Sequence, residues 1–271
     1  MGTRLVATTR ATSRRRASPS RGLQAGNTGL DGRAPGLARR PYTKRDLDVI
    51  YRALLEAYGP QQWWPTAAED GLEQRFEICL GAILTQNTAW RGAAAALANL
   101  QGAGATTPET ILDLPEPVLG ELLRPSGYFN AKARKVRAFC AAVLDAGDID
   151  ALLAGDADEV RARLLALWGV GPETADAMTL YAGRKPTFVV DAYAYRLFER
   201  LGRPPGKRDY DTYRSYFLGK LGTDVWTLNQ WHALIVRHGQ QTCLRTKPQC
   251  GACILESRCE FARGAAASEE E

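Results

Sequence analysis

The chain has 271 residues, 45% hydrophobic and 24% charged, the balance of a globular protein with ample material for a core. No apolar run approaches the roughly 18 residues that a membrane span needs, so no membrane partner is expected. Residues 1–45 hold 11 Lys and Arg against Asp31 alone and carry +10, leaving −5 for the rest, so the formal net charge of +5 is no evidence that the folded part meets a polyanion.

Residues 1–43 are rich in Arg, Ser, Thr, Gly and Ala without apolar periodicity, which predicts a disordered basic arm. Its Arg-rich, acid-poor composition fits an organelle transit peptide loosely; a flexible arm or an over-extended translation start accounts for it equally simply. The helical period then takes over. Asp46–Tyr58 places Leu47, Ile50, Leu54 and Leu55 on one face, and Gly59-Pro60 stops it. Further helices are predicted at Phe76–Thr88, Ala89–Leu100, Pro115–Leu123, Ala131–Leu144, Asp156–Trp168, Pro172–Tyr181, Ala192–Leu201, Asp209–Leu221 and Asp224–His238. Pro186–Val190 is the one extended stretch, and residues 263–271 read as a disordered acidic tail. The fold class is all-α. Trp226, Trp231 and His232 are expected to pack in the core.

Six cysteines are present, and four of them, Cys243-x6-Cys250-x2-Cys253-x5-Cys259, crowd into 17 residues. A secreted disulfide scaffold is shorter and more evenly studded, so an intracellular protein with a metal site is expected. Four soft thiolates suit zinc or an iron–sulfur cluster, and spacing alone leaves both open. Arg245, Lys247 and Arg258 make this loop basic, which suits phosphate contact if the ligated loop is rigid.

Leu167–Ala175 contains Gly169-Val170-Gly171-Pro172, a tight turn between two helices. Its glycines let backbone amides approach an anion, and Pro172 suits the first helical position. Eighteen residues beyond Glu173, Asp191 follows a buried run at a helix start. Capping alone explains an aspartate there. Cleavage of an N-glycosidic bond supplies a second explanation, since a carboxylate stabilises the positive charge that builds on the sugar.

From Phe76 to Cys259 these motifs, in this order, resemble the endonuclease III family of helix-hairpin-helix DNA glycosylases. The resemblance implies two helical lobes flanking a DNA-binding cleft. One is a six-helix barrel over residues 70–185 that ends in the hairpin; the other combines residues 44–69 with 186–262 and carries a [4Fe–4S] cluster on Cys243, Cys250, Cys253 and Cys259. It makes Asp191 the catalytic aspartate and Gly169, Val170 and Gly171 the phosphate-gripping turn. Ala82–Thr88 resembles the segment whose glutamine fills the gap left by a flipped base, pointing to Gln86. Gly127–Ala133 resembles the wedge on the opposite strand, pointing to Tyr128. Lys132, with Arg134 and Lys135, and the cluster-loop residues Arg245 and Lys247 are candidate phosphate contacts. Helix capping by Gln86 and core packing by Tyr128 are the structural alternatives.

Two departures matter. Glu173 stands where the bifunctional members carry the Schiff-base lysine, so a monofunctional enzyme without strand cleavage is implied. The wording around Gln86 and Arg124–Asn130 resembles the 3-methyladenine glycosylase branch, which generally lacks the cluster that the four cysteines imply here. Ala82 occupies the position of the catalytic glutamate of adenine-removing members, which argues against that activity. The implied partner is double-stranded DNA with a damaged base, an alkylated purine or an oxidised pyrimidine, bound by a monomer in the cytoplasm or nucleoid. The alternatives are a glycosylase/lyase that recruits Lys132 or Lys185, and a DNA-binding protein that has lost catalysis.

Overall fold

The computed structural model describes residues 40–269, with side chains to residue 264, and the described residues form helices without any strand. Most of the expected basic arm lies outside them. In chain order the helices are α1 Lys44–Tyr58, α2 Gly71–Leu84, α3 Trp90–Gly102, α4 Pro108–Asp113, α5 Glu116–Leu123 and α6 Phe129–Ala146. Then follow α7 Ile149–Leu152, α8 Ala157–Leu165, α9 Pro172–Ala177, α10 Ala192–Arg200, α11 Tyr210–Leu221, α12 Val225–Gln241 and α13 Glu260–Glu269. No described helix is long and apolar enough to cross a membrane.

Caps set most of the starts. Thr43 and Asp156 form reciprocal capping boxes with Asp46 and Glu159, and Asp148, Asp209 and Asp224 each accept an amide of the first turn. Each such cap stabilises its helix by ~1 kcal/mol. The helix predicted at Phe76 begins earlier, at Gly71, and ends at Leu84, because Thr85 Oγ1 folds back onto the carbonyls of Gly81 and Ala82 and Asn87 turns left-handed (φ 53°). Past α9 the coil widens into a π-turn, Met178–Ala182. Helices α4, α7 and α13 escaped the reading of periodicity; α4 and α7 have too few residues to display one.

The expected ends of the folded part shift outward. Tyr42, within the stretch expected to be disordered, is buried; its carbonyl accepts from Tyr216, and Arg203 lies 3.9 Å over its ring. Helix α13 runs through the start of the expected acidic tail.

Helices α2 to α7 pack on one another, with α6 against α4 and α5, and α3 against α2 and α5. Helix α12 packs on both α1 and α10 and also meets the π-turn. Phe188, Phe198 and Phe217 stack at 4.3–4.6 Å between centroids, carrying the core from the 186–190 segment into α10 and α11. Polar restraint adds to this. Asp176 on α9 is fully buried and holds Arg161 Nε and Arg214 Nε at 3.0 Å, while Thr187 Oγ1 donates to it at 2.5 Å. Loss of one partner from such a buried pair costs about 3–5 kcal/mol. The network clamps α8, α9 and α11 to the extended stretch that leads to Asp191.

Candidate active site

Phe188, Val189 and Val190 are almost fully buried, so the extended chain has its register set by the core and delivers Asp191 to one place, the N-cap of α10. Asp191 Oδ1 accepts from Ala194 N at 2.7 Å, and Oδ2 lies 3.5 Å from His232 Nε2. The carboxylate lines a cavity of about 170 Å³ shared with Gln86, Glu173, Thr174, Tyr193 and His232. The capping expected of Asp191 is therefore present together with cavity exposure, and the two do not compete.

One wall of this cavity is aromatic. Trp63, Trp64 and Trp90 have ring centroids 5.5–6.1 Å apart, and Tyr181 joins them at 5.4 Å from Trp64. Ala82 adds a small apolar patch. Glu173 stands at the solvent-facing lip. Desolvation by the cavity walls, and then the charge of Asp191, raise its carboxyl to about 7, with His232 pulling weakly the other way. Its side chain remains exposed, so water at the mouth tempers that shift. Among the residues lining the cavity there is no lysine.

The hairpin sits beside this mouth. Gly169 adopts φ 85°, and the turn closes through Val170 N–H to Leu167 O before α9 begins at Pro172. Gln86 is tied to it, its Nε2 donating to Gly169 O and Thr174 Oγ1, both at 3.0 Å, while Lys135 Nζ donates to its Oε1. Arg134 lies 5.6 Å over the exposed ring of Trp168, so α6 aims two cations at the hairpin. Tyr128 is not core: it is 74% exposed and left-handed (φ 46°) at the start of α6.

Lys132 does not present a charge to solvent. It is 2% exposed, and its Nζ donates to Leu84 O at 2.7 Å and Ser126 O at 2.5 Å. Burial and the charge of Lys135 push its ammonium down to about 8. Its role as a phosphate contact is thereby corrected: it joins the loop bearing Gln86 to the turn preceding Tyr128. The helical period already places Lys132 on the buried face of α6 with Val136, Phe139 and Val143; its charge, not its register, pointed to the surface.

Cys243, Cys250, Cys253 and Cys259 line a second cavity, otherwise bounded mainly by Leu197, Leu201, Pro248 and Leu255. Arg200 Nη1 donates to Cys243 Sγ at 3.2 Å and to Leu244 O at 2.7 Å. Among the described residues no three His, Cys, Asp or Glu side chains converge as a single metal ion requires. The four thiols surround a space, and their soft donor chemistry fits a cluster. Arg245 and Lys247 are exposed on this loop.

Several site residues escaped the reading of sequence. His232 is buried as expected of a core residue, yet it faces the cavity beside Asp191. Trp226, also expected in the core, is 60% exposed, whereas Trp231 is buried. Trp63 and Trp64 gave one signal, a tryptophan pair in a loop just after a helix stop; Tyr181 gave none.

Residues 80–220 match the HhH-GPD superfamily of base excision DNA repair proteins. A Methanocaldococcus jannaschii protein assigned as a DNA repair glycosylase is 39% identical over 213 residues, covering 78% of this chain and 94% of its own. Endonuclease III of Haemophilus influenzae is 32% identical over 186 residues, 69% of this chain and 83% of its own. Among solved structures, the H. pylori 3-methyladenine DNA glycosylase bound to 1,N6-ethenoadenine aligns with a TM-score of 0.63 and 28% identity, covering 74% of this chain and 98% of that one. The chain belongs to the HhH-GPD superfamily, in the endonuclease III family of DNA glycosylases.

Proposed function

We propose that this protein is a monofunctional DNA glycosylase that hydrolyses the N-glycosidic bond of an alkylated purine turned out of duplex DNA. One observation carries the reading: Asp191 and Glu173 share an aromatic-walled cavity whose lining holds no amine. Lys132 is occupied elsewhere, and neither it nor Lys185 lines the cavity, so a Schiff-base route has no nucleophile there.

A purine alkylated at N3 or N7 carries positive charge while attached to the sugar. The faces of Trp63, Trp64 and Trp90 attract such a ring more strongly than a neutral one. As the bond breaks, the base takes the electron pair and leaves neutral, and the sugar becomes oxocarbenium-like. Asp191 stabilises that charge and accepts a proton as water adds at the same carbon. The hairpin Gly169–Gly171 holds a phosphate near the lesion, Gln86 and Tyr128 fill the disturbed stack, and Arg245 and Lys247 contact the backbone further away. In this reading residues 70–185 form one lobe, and residues 44–69 with 186–262 the other.

Cys243, Cys250, Cys253 and Cys259 hold a [4Fe–4S] cluster, supported by their shared cavity and donor set. When bound, the cluster supplies a four-point cross-link that rigidifies the loop bearing Arg245 and Lys247. Purified protein is expected to carry four irons, and Cys253→Ser to lose them along with DNA affinity. An iron-free protein with full activity would contradict this role.

The test uses duplex oligonucleotides bearing a stable 3-methyladenine surrogate, thymine glycol or uracil, each reaction split and half heated in alkali. Cleavage of the alkylpurine strand only after alkali is the expected outcome. Cleavage without alkali would overturn the monofunctional assignment, and response to thymine glycol alone would overturn the substrate.

A further inference from the structure

The ring of His232, which lines the cavity, lies between two side chains. On one side Tyr181 Oη is 2.5 Å from Nδ1; on the other, Nε2 is 3.5 Å from Asp191 Oδ2. All three residues are buried. His232 Nε2 has no partner at hydrogen-bonding geometry, and Asp191 is the acceptor before it. The carboxylate beside Nε2 can only accept, which calls for the ring proton on Nε2 and leaves Nδ1 as the acceptor. Burial, and then the charge of Asp191, keep the Tyr181 phenol protonated, so it has a proton to donate there. A neutral imidazole that accepts at Nδ1 carries its proton on Nε2, pointing at the carboxylate. Tyr181 also packs on Trp64, so the support of the carboxylate and the aromatic wall are one structure.

We infer that His232 is a positioning residue for Asp191. Tyr181 sets the imidazole tautomer, and Nε2–H holds Oδ2 while Ala194 N–H holds Oδ1, leaving the carboxylate ionised and turned toward the cavity. The inference rests on the assignment of Asp191 as the catalytic carboxylate. A separation of 3.5 Å suits a contact that tightens when substrate excludes water, as hydrogen bonds in unliganded sites commonly do. No proton is transferred by the histidine in the reaction. It fixes geometry and charge.

The chain has only two histidines, so their ring nitrogens are resolvable by 15N NMR of histidine-labelled protein, with His238→Gln assigning the pair. The expected spectrum at neutral pH shows His232 neutral with the proton on Nε2, perturbed by Asp191→Asn. A proton on Nδ1, or an imidazolium, would overturn the arrangement whether or not the protein is active. For turnover, His232→Leu is expected to lower kcat by roughly ten- to a hundredfold, the loss of one hydrogen bond to a charged group, with KM little changed. His232→Gln, whose amide imitates the Nε2–H donor, is expected to recover most of it, and Tyr181→Phe to fall between. Equal failure of Gln and Leu variants, both with native melting curves, would show that His232 itself carries a proton and not a position. Undiminished kcat in the Leu variant would remove the histidine from the reaction altogether. If the Leu variant fails to fold, Gln and Phe decide, since undiminished kcat in Phe or full loss in Gln each contradict the scheme. Wild-type protein that released no base would refute the glycosidic reading, while the tautomer measurement would still decide the geometry.

Discussion

Gln86 Nε2 donates to Gly169 O at 3.0 Å, joining the end of α2 to the α8–α9 turn across 83 residues of sequence. The residue proposed to fill the gap left by a flipped base and the turn proposed to hold a phosphate are thus joined as one unit. Lys135 closes the unit from α6, its aliphatic stem packed on Gly169 and its ammonium on Gln86.

Gly169 is the position where this unit tolerates no side chain. A Cβ there would come within 2.5 Å of Lys135 Cγ on a backbone at φ 85°. Gly169→Ala is expected to destabilise the protein by about 1–3 kcal/mol and to weaken DNA binding through Gln86 as well as through the turn. Chemical denaturation and fluorescence anisotropy with duplex DNA measure the two effects. Unchanged stability would mean that the turn and α6 separate freely.

Asp191→Asn separates chemistry from capping. Asparagine caps a helix as well as aspartate does, so stability should stay within about 0.5 kcal/mol of wild type. Base release should vanish and DNA affinity persist, because the charge proposed to stabilise the sugar is gone while the surface is intact. Turnover by the variant at the wild-type rate would remove Asp191 from catalysis.

Glu173 makes stability depend on pH. Its folded carboxyl titrates near 7 against an ordinary value of 4.5, so the folded state binds the extra proton between those limits. The contribution is full below the unfolded value and is lost as pH rises through the folded one. Glu173→Gln should therefore gain in melting temperature relative to wild type on going from about pH 4.5 to about pH 8. The gain is small, because the side chain is exposed. A difference that stays constant with pH would place the Glu173 carboxyl in its ordinary range.

Lys132→Met leaves the carbonyls of Leu84 and Ser126 without their donor. The expected cost is about 2–3 kcal/mol, from charge-assisted bonds lost in a buried setting. DNA affinity should fall without any reduction in the salt dependence of binding, since no phosphate contact is removed. A shallower salt slope would return Lys132 to the phosphate surface.

How much of this was legible before folding depends on the residue. Ten helices, α1 to α12 without α4 and α7, declare themselves through period and caps, and the hairpin through two glycines and a proline whose backbone demands are local. The four cysteines are readable as a set because they share one stretch of 17 residues, which the fold then wraps around a common cavity. Asp191 is readable because a buried run followed by a cap places it at an element boundary. Short helices such as α4 and α7 were not, since one turn has no period to show.

The sequence alone thus determined the helical class, the turn, the cysteine-rich loop and the place of Asp191 at a helix start, all features whose cause lies within a few residues. Only the tertiary structure decided that Lys132 is consumed inside, that Tyr128 stands outside, and that His232 meets Asp191. It also decided that Trp63, Trp64 and Trp90 form a wall facing that carboxylate. Each of these depends on which faces of distant helices meet, and a side chain's exposure and charge state follow from its neighbours in space.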